Sequence, residues 1–229
     1  IKLTTTKINA KSVVNEINIP IKDIQELPVL LGERDVLKSI QLLPGVQSGN
    51  EGSSGFYVRG GGPDQNLILL DGVTVYNASH LFGFFSIFND NAIKNINLIK
   101  GGFPARFGGR LSSVLEINMK DGNLKEWNYE GGLGLISGNI TAQGPIIKDK
   151  TSLIISARRT WIDLLSKPLT QLLQNNTTSP NNTSYNGKYF FYDFNIKVNH
   201  KLSSNDRLVL SFYSGKDDFS SNYSNSSND

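Results

Sequence analysis

The pattern of hydrophobic and polar positions divides the chain into two parts at about Gly122. Before this point, short apolar runs separated by glycine-rich turns predict a mixture of short helices and strands. After it, long runs alternate apolar and polar residues with a period of two, which is typical of antiparallel strands with one wet and one apolar face. We therefore expect an α/β unit followed by an antiparallel sheet.

The first part begins with an extended lead-in over residues 1–28, closed by Pro28. Residues 33–42 predict a helix with Val36, Leu37 and Ile40 on one face, ended by the Pro44-Gly45 pair. A second helical face is predicted within 79–88, where apolar residues follow at helical spacing: Leu81, Phe84, Phe85 and Phe88. Short strands are predicted at 56–59, 66–71, 96–99 and 114–119.

In the second part, the strand predicted at 189–202 separates its faces most clearly. One face carries Phe190, Tyr192, Phe194, Ile196, Val198 and Leu202. The other carries Asp193, Asn195, Lys197, Asn199 and Lys201. The same alternation recurs at 152–161 and 207–213, and a slip at Ser137-Gly138 predicts a tight bend within 127–142. This pattern fits strands of an outer-membrane barrel and also a soluble antiparallel sandwich.

Composition excludes several classes of protein. The 229 residues have a formal net charge of +3 with scattered Lys and Arg, which does not favour nucleic-acid binding. The lack of cysteine excludes disulfides, thiolate metal sites and thiol catalysis. No run approaches the roughly 18 apolar residues that a membrane-spanning helix needs. The half-apolar strands of a membrane barrel remain compatible with this composition.

No catalytic or metal-binding pattern stands out. His80 and His200 are far apart and lack the spacing of metal ligands. Nothing selects one pair of Asp and Glu residues as acid and base. Residues 59–63 (RGGGP) lack the Gly-Lys-Ser/Thr ending of a phosphate-binding loop. We therefore expect neither an enzyme, nor a cofactor, nor a metal site.

Three ordered stretches carry more specific information. Residues 56–77, FYVRGGGPDQNLILLDGVTVYN, resemble the plug-domain core of TonB-dependent outer-membrane receptors, which has a Val-Arg-Gly strand and then a strand ending in Leu-Asp-Gly-Val. Residues 96–122 are similar to the end of that plug, and residues 27–49 to its first helix in Bacteroidetes-type receptors. The resemblance covers about residues 20–165.

The resemblance implies a fold and a domain organisation. TonB-dependent receptors consist of a barrel of about twenty-two strands occluded by an N-terminal plug. The chain would then comprise a lead-in segment (1–24), an α/β plug domain of a small mixed sheet with short helices (25–122), and the first four or five antiparallel strands of a transmembrane β-barrel (123–229). Because a closed barrel of that size needs about 400 residues, we expect the barrel to be incomplete in this chain.

The resemblance also implies roles for individual residues. Arg59 would pair with carboxylates on the barrel wall and act as a latch between plug and barrel. The other residues of the plug motif are Val58, Gly60, Gly61, Asp71 and Gly72. Contacts to a ligand at the outer end of the plug would come from Tyr76, Asn77 and His80. Taken singly, the glycines and the Asp71-Gly72 pair also fit ordinary turns.

The function implied by the resemblance is import of a scarce or bulky nutrient across the outer membrane of a Gram-negative cell. Its partners would be the TonB complex, the nutrient ligand, and a surface lipoprotein or another outer-membrane protein. Because no TonB-binding segment is recognisable before the plug, we do not expect energised transport by this chain alone.

Two other functions are compatible with the sequence. The short barrel part favours a structural plug-like subunit that occludes or gates the pore of another outer-membrane protein. The alternation is also compatible with a soluble carbohydrate-active or binding domain, with a sandwich behind a small α/β unit. A sandwich would bury Phe190, Phe194 and Val198 between two sheets, whereas a barrel would leave them on its outer face.

Overall fold

A computed structural model describes residues 16–27, 32–49, 54–165 and 183–225 of the chain. Pro28 and residues 1–15 of the predicted lead-in lie outside these ranges. The described residues form an N-terminal unit up to Asp121 and, after it, a five-stranded antiparallel sheet, here called the long sheet. None of the helices in these ranges is long and apolar enough to cross a membrane.

The N-terminal unit contains two short α-helices, α1 (Ile21–Gln25) and α2 (Val36–Ile40). Its strands are β1 (Glu16–Pro20), β2 (Val46–Ser48), β3 (Phe56–Val58), β4 (Asn66–Leu70), β5 (Val73–Thr74), β6 (Ser79–His80), β7 (Phe85–Ser86), β8 (Ile93–Ile99) and β9 (Ser113–Met119). Three 3₁₀ turns, Pro63–Gln65, Leu81–Gly83 and Asp90–Ala92, connect them. The strands predicted at 56–59, 66–71, 96–99 and 114–119 therefore correspond to β3, β4, β8 and β9.

A mixed sheet forms the core of this unit. Its strand order is β1-β8-β9-β4-β5, and only β4 and β9 run parallel. Residues 16–20 of the predicted lead-in contribute the edge strand β1, which pairs with β8. Ile96 and Ile117 are fully buried in the core, and the predicted apolar face of α2 joins the same cluster. Asp35 caps α2 by accepting a hydrogen bond from the Lys38 amide at 3.0 Å.

Two tight turns in the predicted plug motif have left-handed backbone conformations. Arg59 and Gly60 have φ angles of 50° and 83°, and Asp71 and Gly72 have φ angles of 49° and 84°. Two successive positive φ angles are characteristic of type I′ hairpin turns, which favour glycine at the second position. The first turn follows β3, and the second joins β4 to β5. The Arg-Gly and Asp-Gly pairs thus have a structural role in chain reversal.

The helix predicted within 79–88 is wrong. This segment forms the strands β6 and β7, which pair with each other around the turn Leu81–Gly83. Leu81 and Phe82 have φ angles of 49° and 54°, and Gly83 has a φ of 100°, which an α-helix does not permit. The helical spacing of the aromatic residues misled the prediction, because hydrogen bonds to the long sheet decide the backbone here.

The long sheet begins after a short connection from β9. Its strands are β10 (Asn128–Leu133), β11 (Ser137–Ile147), β12 (Thr151–Thr160), β13 (Thr183–Lys201) and β14 (Arg207–Asn225), paired in sequence order and all antiparallel. The bend predicted at Ser137-Gly138 occurs slightly earlier, at residues 134–136 between β10 and β11, and Ser137 and Gly138 begin β11. Among the described residues β10 and β14 are the open edges, and they do not close on each other.

The long sheet buries its polar face and exposes its apolar face, which is the reverse of a sheet in a soluble protein. The face toward the N-terminal unit is polar: its buried residues include Ser152, Ser156, Arg158, Asp193, Asn195 and Lys197. The opposite face is apolar and exposed, with Tyr129, Leu133, Ile140, Leu208, Leu210 and Phe212 between 54% and 88% exposed. Phe190, Phe194 and Val198 lie on this outer face and are only partly buried. This arrangement contradicts the sandwich alternative, in which those three side chains would be covered by a second sheet.

Gly61 stands where the first I′ turn touches another segment. A Cβ atom at Gly61 would lie 2.4 Å from the Cβ of Ser112, whereas one at Gly60 would meet no atom within 4 Å. We expect Gly61→Ala to lower the free energy of unfolding by about 1–3 kcal/mol through overpacking. Gly60→Asn is the control, since asparagine tolerates a positive φ. Urea unfolding of the detergent-purified chain, followed by circular dichroism, would measure both; equal losses would contradict this account.

Candidate functional site

A buried ion-pair network joins the N-terminal unit to the long sheet. At its centre is Arg158 on β12, whose side chain is 3% exposed. Its Nε and Nη2 donate to Oδ2 of Asp193 on β13 at 2.9 and 2.6 Å. Nη1 donates to Glu33 at 3.3 Å, and Nη2 also donates to the carbonyl of Ser86 at 2.6 Å. Because buried charges are costly unless paired, this guanidinium holds three chain segments in one cluster.

Glu33 reaches Arg158 because the backbone beside it approaches the long sheet closely. Gly32 has a φ of 86°, and a Cβ atom built on it would lie 2.7 Å from the Cα of Gly134. The second carboxylate oxygen of Glu33 accepts a hydrogen bond from Ser137 Oγ. Burial raises the pKa of the Glu33 carboxyl above its usual range, although Arg158 acts in the opposite direction. Two glycines therefore make room for the contact.

His80 is the second link between the two parts. Its Nε2 lies 2.7 Å from Oδ1 of Asp193, its Nδ1 lies 2.8 Å from Oδ2 of Asp217, and its ring stacks on Phe191 at 4.1 Å between centroids. Ionised carboxylates only accept, so both bonds form only when the imidazole carries a proton on each nitrogen. Burial opposes this charge, but the hydrogen bonds and charges of Asp193 and Asp217 outweigh it and raise the pKa of His80.

Further donors complete the environment of the two wall carboxylates. Tyr213 donates through its hydroxyl to Oδ1 of Asp193 at 2.8 Å. Asp217 accepts a hydrogen bond from the hydroxyl of Tyr189 and one from the backbone N–H of Leu81, the latter at 3.3 Å. The turn that follows β6 is therefore bound to the long sheet through both its backbone and the His80 side chain.

Lys197 on β13 forms a separate ionic contact. Its Nζ lies 3.1 Å from Oδ1 of Asp71, 3.2 Å from Oδ1 of Asp121 and 3.1 Å from the carbonyl oxygen of Met119. The other oxygen of Asp71 accepts a hydrogen bond from Ser211 Oγ at 3.0 Å. Asp71 thus both forms the I′ turn after β4 and connects that turn to two strands of the long sheet.

Arg59, the predicted latch residue, lies apart from the contacts described above. Arg59 is exposed, with its guanidinium beside Gly101 of the same unit. Val58 is buried in the core. Gly60 is part of the first I′ turn, and Gly61 directly follows it. The buried ion pairs described above come from other residues, so the role of Arg59 stays a prediction.

The three predicted ligand contacts do not share one environment. His80 is buried in the network between the two parts, whereas Tyr76 is 87% exposed. Tyr76 and Asn77 line a cavity of about 340 Å³ together with Ser211 and Tyr213 of β14. His80 therefore joins the two parts of the fold, and a ligand-binding role of Tyr76 and Asn77 stays a prediction.

Sequence reasoning missed the residues that carry the network: Glu33, Arg158, Asp193 and Lys197. The sequence did carry a signal for Arg158, Asp193 and Lys197, because they occupy the polar positions of alternating strands. A charged side chain on that face needs a partner on the element that packs against it. Arg158 points inward and Arg159 outward for this reason. Glu33 gave no such signal, since its acidic side chain fits the start of a helix equally well.

The arrangement is suited to holding two elements together. Its charged groups are matched with one another by short contacts, and removing one leaves another buried without a partner. In the described ranges, no group of three or more potential ligand side chains is placed to hold a metal ion. The ion pairs at this interface can form, break and change their protonation state.

A family model described as the TonB-dependent Receptor Plug Domain matches residues 11–113. The matched range contains Glu33, Asp71 and His80, which form the N-terminal side of the interface. Residues 11–113 are a TonB-dependent receptor plug domain. The plug domain and the antiparallel strands behind it confirm the predicted fold class.

Solved receptor structures share this fold over most of the chain. The siderophore receptor PirA from Acinetobacter baumannii is 20% identical, with a TM-score of 0.58, 90% of this chain covered and 32% of that chain. The outer membrane transporter YddB from Escherichia coli is 15% identical, with a TM-score of 0.61 and coverages of 90% and 33%. The ferric citrate transporter FecA, in its unliganded form, is 15% identical, with a TM-score of 0.53 and coverages of 89% and 31%.

These similarities show the fold alone, because the sequence identities are low. The chain spans about a third of the length of the three receptors. No curated protein sequence matches the chain. The plug domain and the antiparallel strands behind it are thus the part of the receptor fold that this chain shares with these structures.

Replacing Arg158 tests the network directly. We expect Arg158→Met to lower the free energy of unfolding by about 3–5 kcal/mol, since Asp193 and Glu33 would lose their buried cation. Arg159→Met is the matched control: its side chain is 47% exposed and pairs with Asp163 at 3.0 Å, so about 0–1 kcal/mol is expected. Urea unfolding of the detergent-purified chain would measure both, and equal losses would show that Arg158 does not hold the plug.

The raised pKa of His80 makes the interface sensitive to pH. A group whose pKa is higher in the folded state stabilises that state fully below its unfolded pKa, about 6.5 for histidine, and this contribution is lost as the pH rises through the folded value. We therefore expect His80→Gln to destabilise the chain most at pH values below about 6.5 and progressively less at higher pH. Unfolding free energies measured over a pH series would check this, and a pH-independent difference would contradict a charged His80.

Proposed function

We propose that the chain is the plug and the leading barrel portion of an outer-membrane receptor that imports a scarce or bulky nutrient with energy from TonB. The observation that supports this is the orientation of the long sheet, which turns its charged face to the plug domain and its apolar face outward. Strands of a membrane barrel need an apolar lipid side and a wet inner side. The location would be the cell outer membrane of a Gram-negative bacterium.

The strand lengths are consistent with this role. A tilted strand needs roughly 9–11 residues to cross the hydrocarbon core, and β12, β13 and β14 have 10, 19 and 19 residues. The last two would extend beyond the membrane at the side of the loop between β12 and β13. We keep the proposed boundaries of a plug at 25–122 and barrel strands at 123–229, with residues 1–24 leading into the plug sheet.

The proposed mechanism is mechanical. A nutrient would bind at the outer side of the plug near Tyr76 and Asn77, and TonB would then move the plug relative to the barrel wall. The sheet that contains β4 would carry the force, and the contacts of Arg158 and Lys197 would have to break or move with it. Arg59 is retained as a proposed further contact to the wall, and a surface lipoprotein, as in the Bacteroidetes type, as a proposed partner.

One structural observation favours a second candidate. The edges β10 and β14 are unpaired among the described residues, and an open sheet edge is not tolerated in hydrocarbon. If another polypeptide supplies the neighbouring strands, the chain would be a structural plug-like subunit that occludes or gates that pore. Such a subunit would have the same plug contacts and would import nothing by itself.

Tethering the plug to the wall separates these functions. Residues 1–229 contain no cysteine, so Asp71→Cys with Ser211→Cys introduces the only two thiols within this sequence, at side chains 3.0 Å apart. We expect a cleavable thiol crosslinker at this pair to stop TonB-dependent uptake by the complete receptor. Uptake would be assayed in cells with and without TonB, using a ferric siderophore, cobalamin and an oligosaccharide as probes.

The matched control places both thiols within the long sheet. Ser203→Cys with Asp206→Cys joins side chains 2.8 Å apart in the turn before β14, and its crosslink should leave uptake unchanged. Reducing the linker between plug and wall should restore uptake. TonB-dependent uptake that persists through the first crosslink would contradict plug movement, and the absence of any TonB-dependent uptake would favour the occluding subunit.

A further inference from the structure

An open cavity lies where the plug turn Leu81–Gly83 meets strands β13 and β14. Its volume is about 520 Å³, which is within the range of small-molecule sites. Three aromatic side chains line it, namely Phe82 from the turn, Tyr189 from β13 and Phe219 from β14. Phe82 and Phe219 are 95% and 62% exposed, so their rings are available to a molecule in the cavity.

Asp217 is the only charged side chain among the residues that line this cavity. Its side chain is 39% exposed, in contrast to Asp193, which is fully buried. Within the network, the charged donor that contacts Asp217 is His80. The single positive charge of its imidazolium is shared by two carboxylates, those of Asp217 and Asp193. The carboxylate of Asp217 therefore retains negative charge toward the cavity.

We propose that this cavity binds a small organic cation, an amine or guanidinium group on an apolar body. Asp217 would pair with the charge, and the rings of Phe82, Tyr189 and Phe219 would contribute through cation–π attraction. The lining contains no Lys or Arg that could pair with an anion. Asn77 and Ser79 supply further polar atoms for the N–H groups of the ligand.

This inference names a class of cargo for the proposed receptor function. Import of the cation rests on that function, whereas binding of the cation does not. Binding itself is a property of the described residues and can be measured without TonB. The choice of a cation over a neutral molecule follows from the charge of Asp217, since a hydroxyl-rich ligand would gain nothing from an ionised carboxylate beyond a hydrogen bond.

Three probes of matched size and different charge test the proposal. Tryptamine is cationic, tryptophol is neutral and indole-3-acetate is anionic at neutral pH. We expect the full chain in detergent micelles to bind tryptamine most tightly and indole-3-acetate least, as measured by ligand NMR titration. Asp217→Asn should weaken tryptamine binding about fivefold, as expected for a partly exposed ion pair, and leave tryptophol binding unchanged.

Asp218→Asn is the matched control, because it removes the same charge one residue away. Asp218 pairs with Lys216 at 2.8 Å and does not line the cavity, so tryptamine binding should not change. Phe219→Leu removes a ring without touching His80 and should also weaken tryptamine binding, which keeps the test valid if Asp217→Asn fails to fold.

The outcomes separate this inference from the receptor function. Equal binding of the three probes, or equal effects of Asp217→Asn and Asp218→Asn, would overturn the cation site. A receptor that imports only anionic nutrients through TonB would overturn the assignment of a cationic cargo, while the proposed receptor function would stand.

Discussion

The buried guanidinium of Arg158 is the interaction on which the arrangement of the two parts depends. It is the point where the strand β12, the strand β13 and the plug domain meet, through Asp193 and Glu33. A cation this deeply buried is tolerated only because carboxylates from both sides neutralise it and accept its hydrogen bonds. The charge of Arg158 can therefore stay buried only while the plug is held in this position against the sheet.

The long sheet has a polar inner face because the plug domain takes the place that water would occupy in an open lumen. In the plug, Asn89 donates a hydrogen bond to Ser156 of the sheet at 2.6 Å, and Asn91 donates one to Asn139 at 2.8 Å. These amides satisfy acceptors that water would otherwise satisfy. Each strand can then keep its apolar residues for the outer face. The same alternation that gives the sheet an apolar outer face also requires a polar plug.

The sequence was sufficient for the strands, since an alternating pattern such as that of 189–202 determines which side chains share a face. It was also sufficient for the turns at Gly60 and Gly72, where few residues tolerate the backbone conformation. It failed at 79–88, because the turn after His80 is decided by Asp193 and Asp217, more than a hundred residues later. The pairing of Glu33 with Arg158 was inaccessible for the same reason: long-range contacts leave no local signal.

A polar interface would also suit the plug movement proposed above. When an apolar core is opened, its surface meets water at a cost of about 25 cal/mol per Å², whereas charged and hydrogen-bonding groups regain hydration. Apolar contact between plug and sheet includes a small cluster of Phe85, Tyr189 and Phe191, and Tyr213 of β14 packs against the plug core. The resistance to separation should therefore arise mainly at the start, when the contacts of Arg158, His80 and Lys197 break before water has entered. Such an interface would hold the plug at rest and would resist its displacement much less once these ionic contacts are lost.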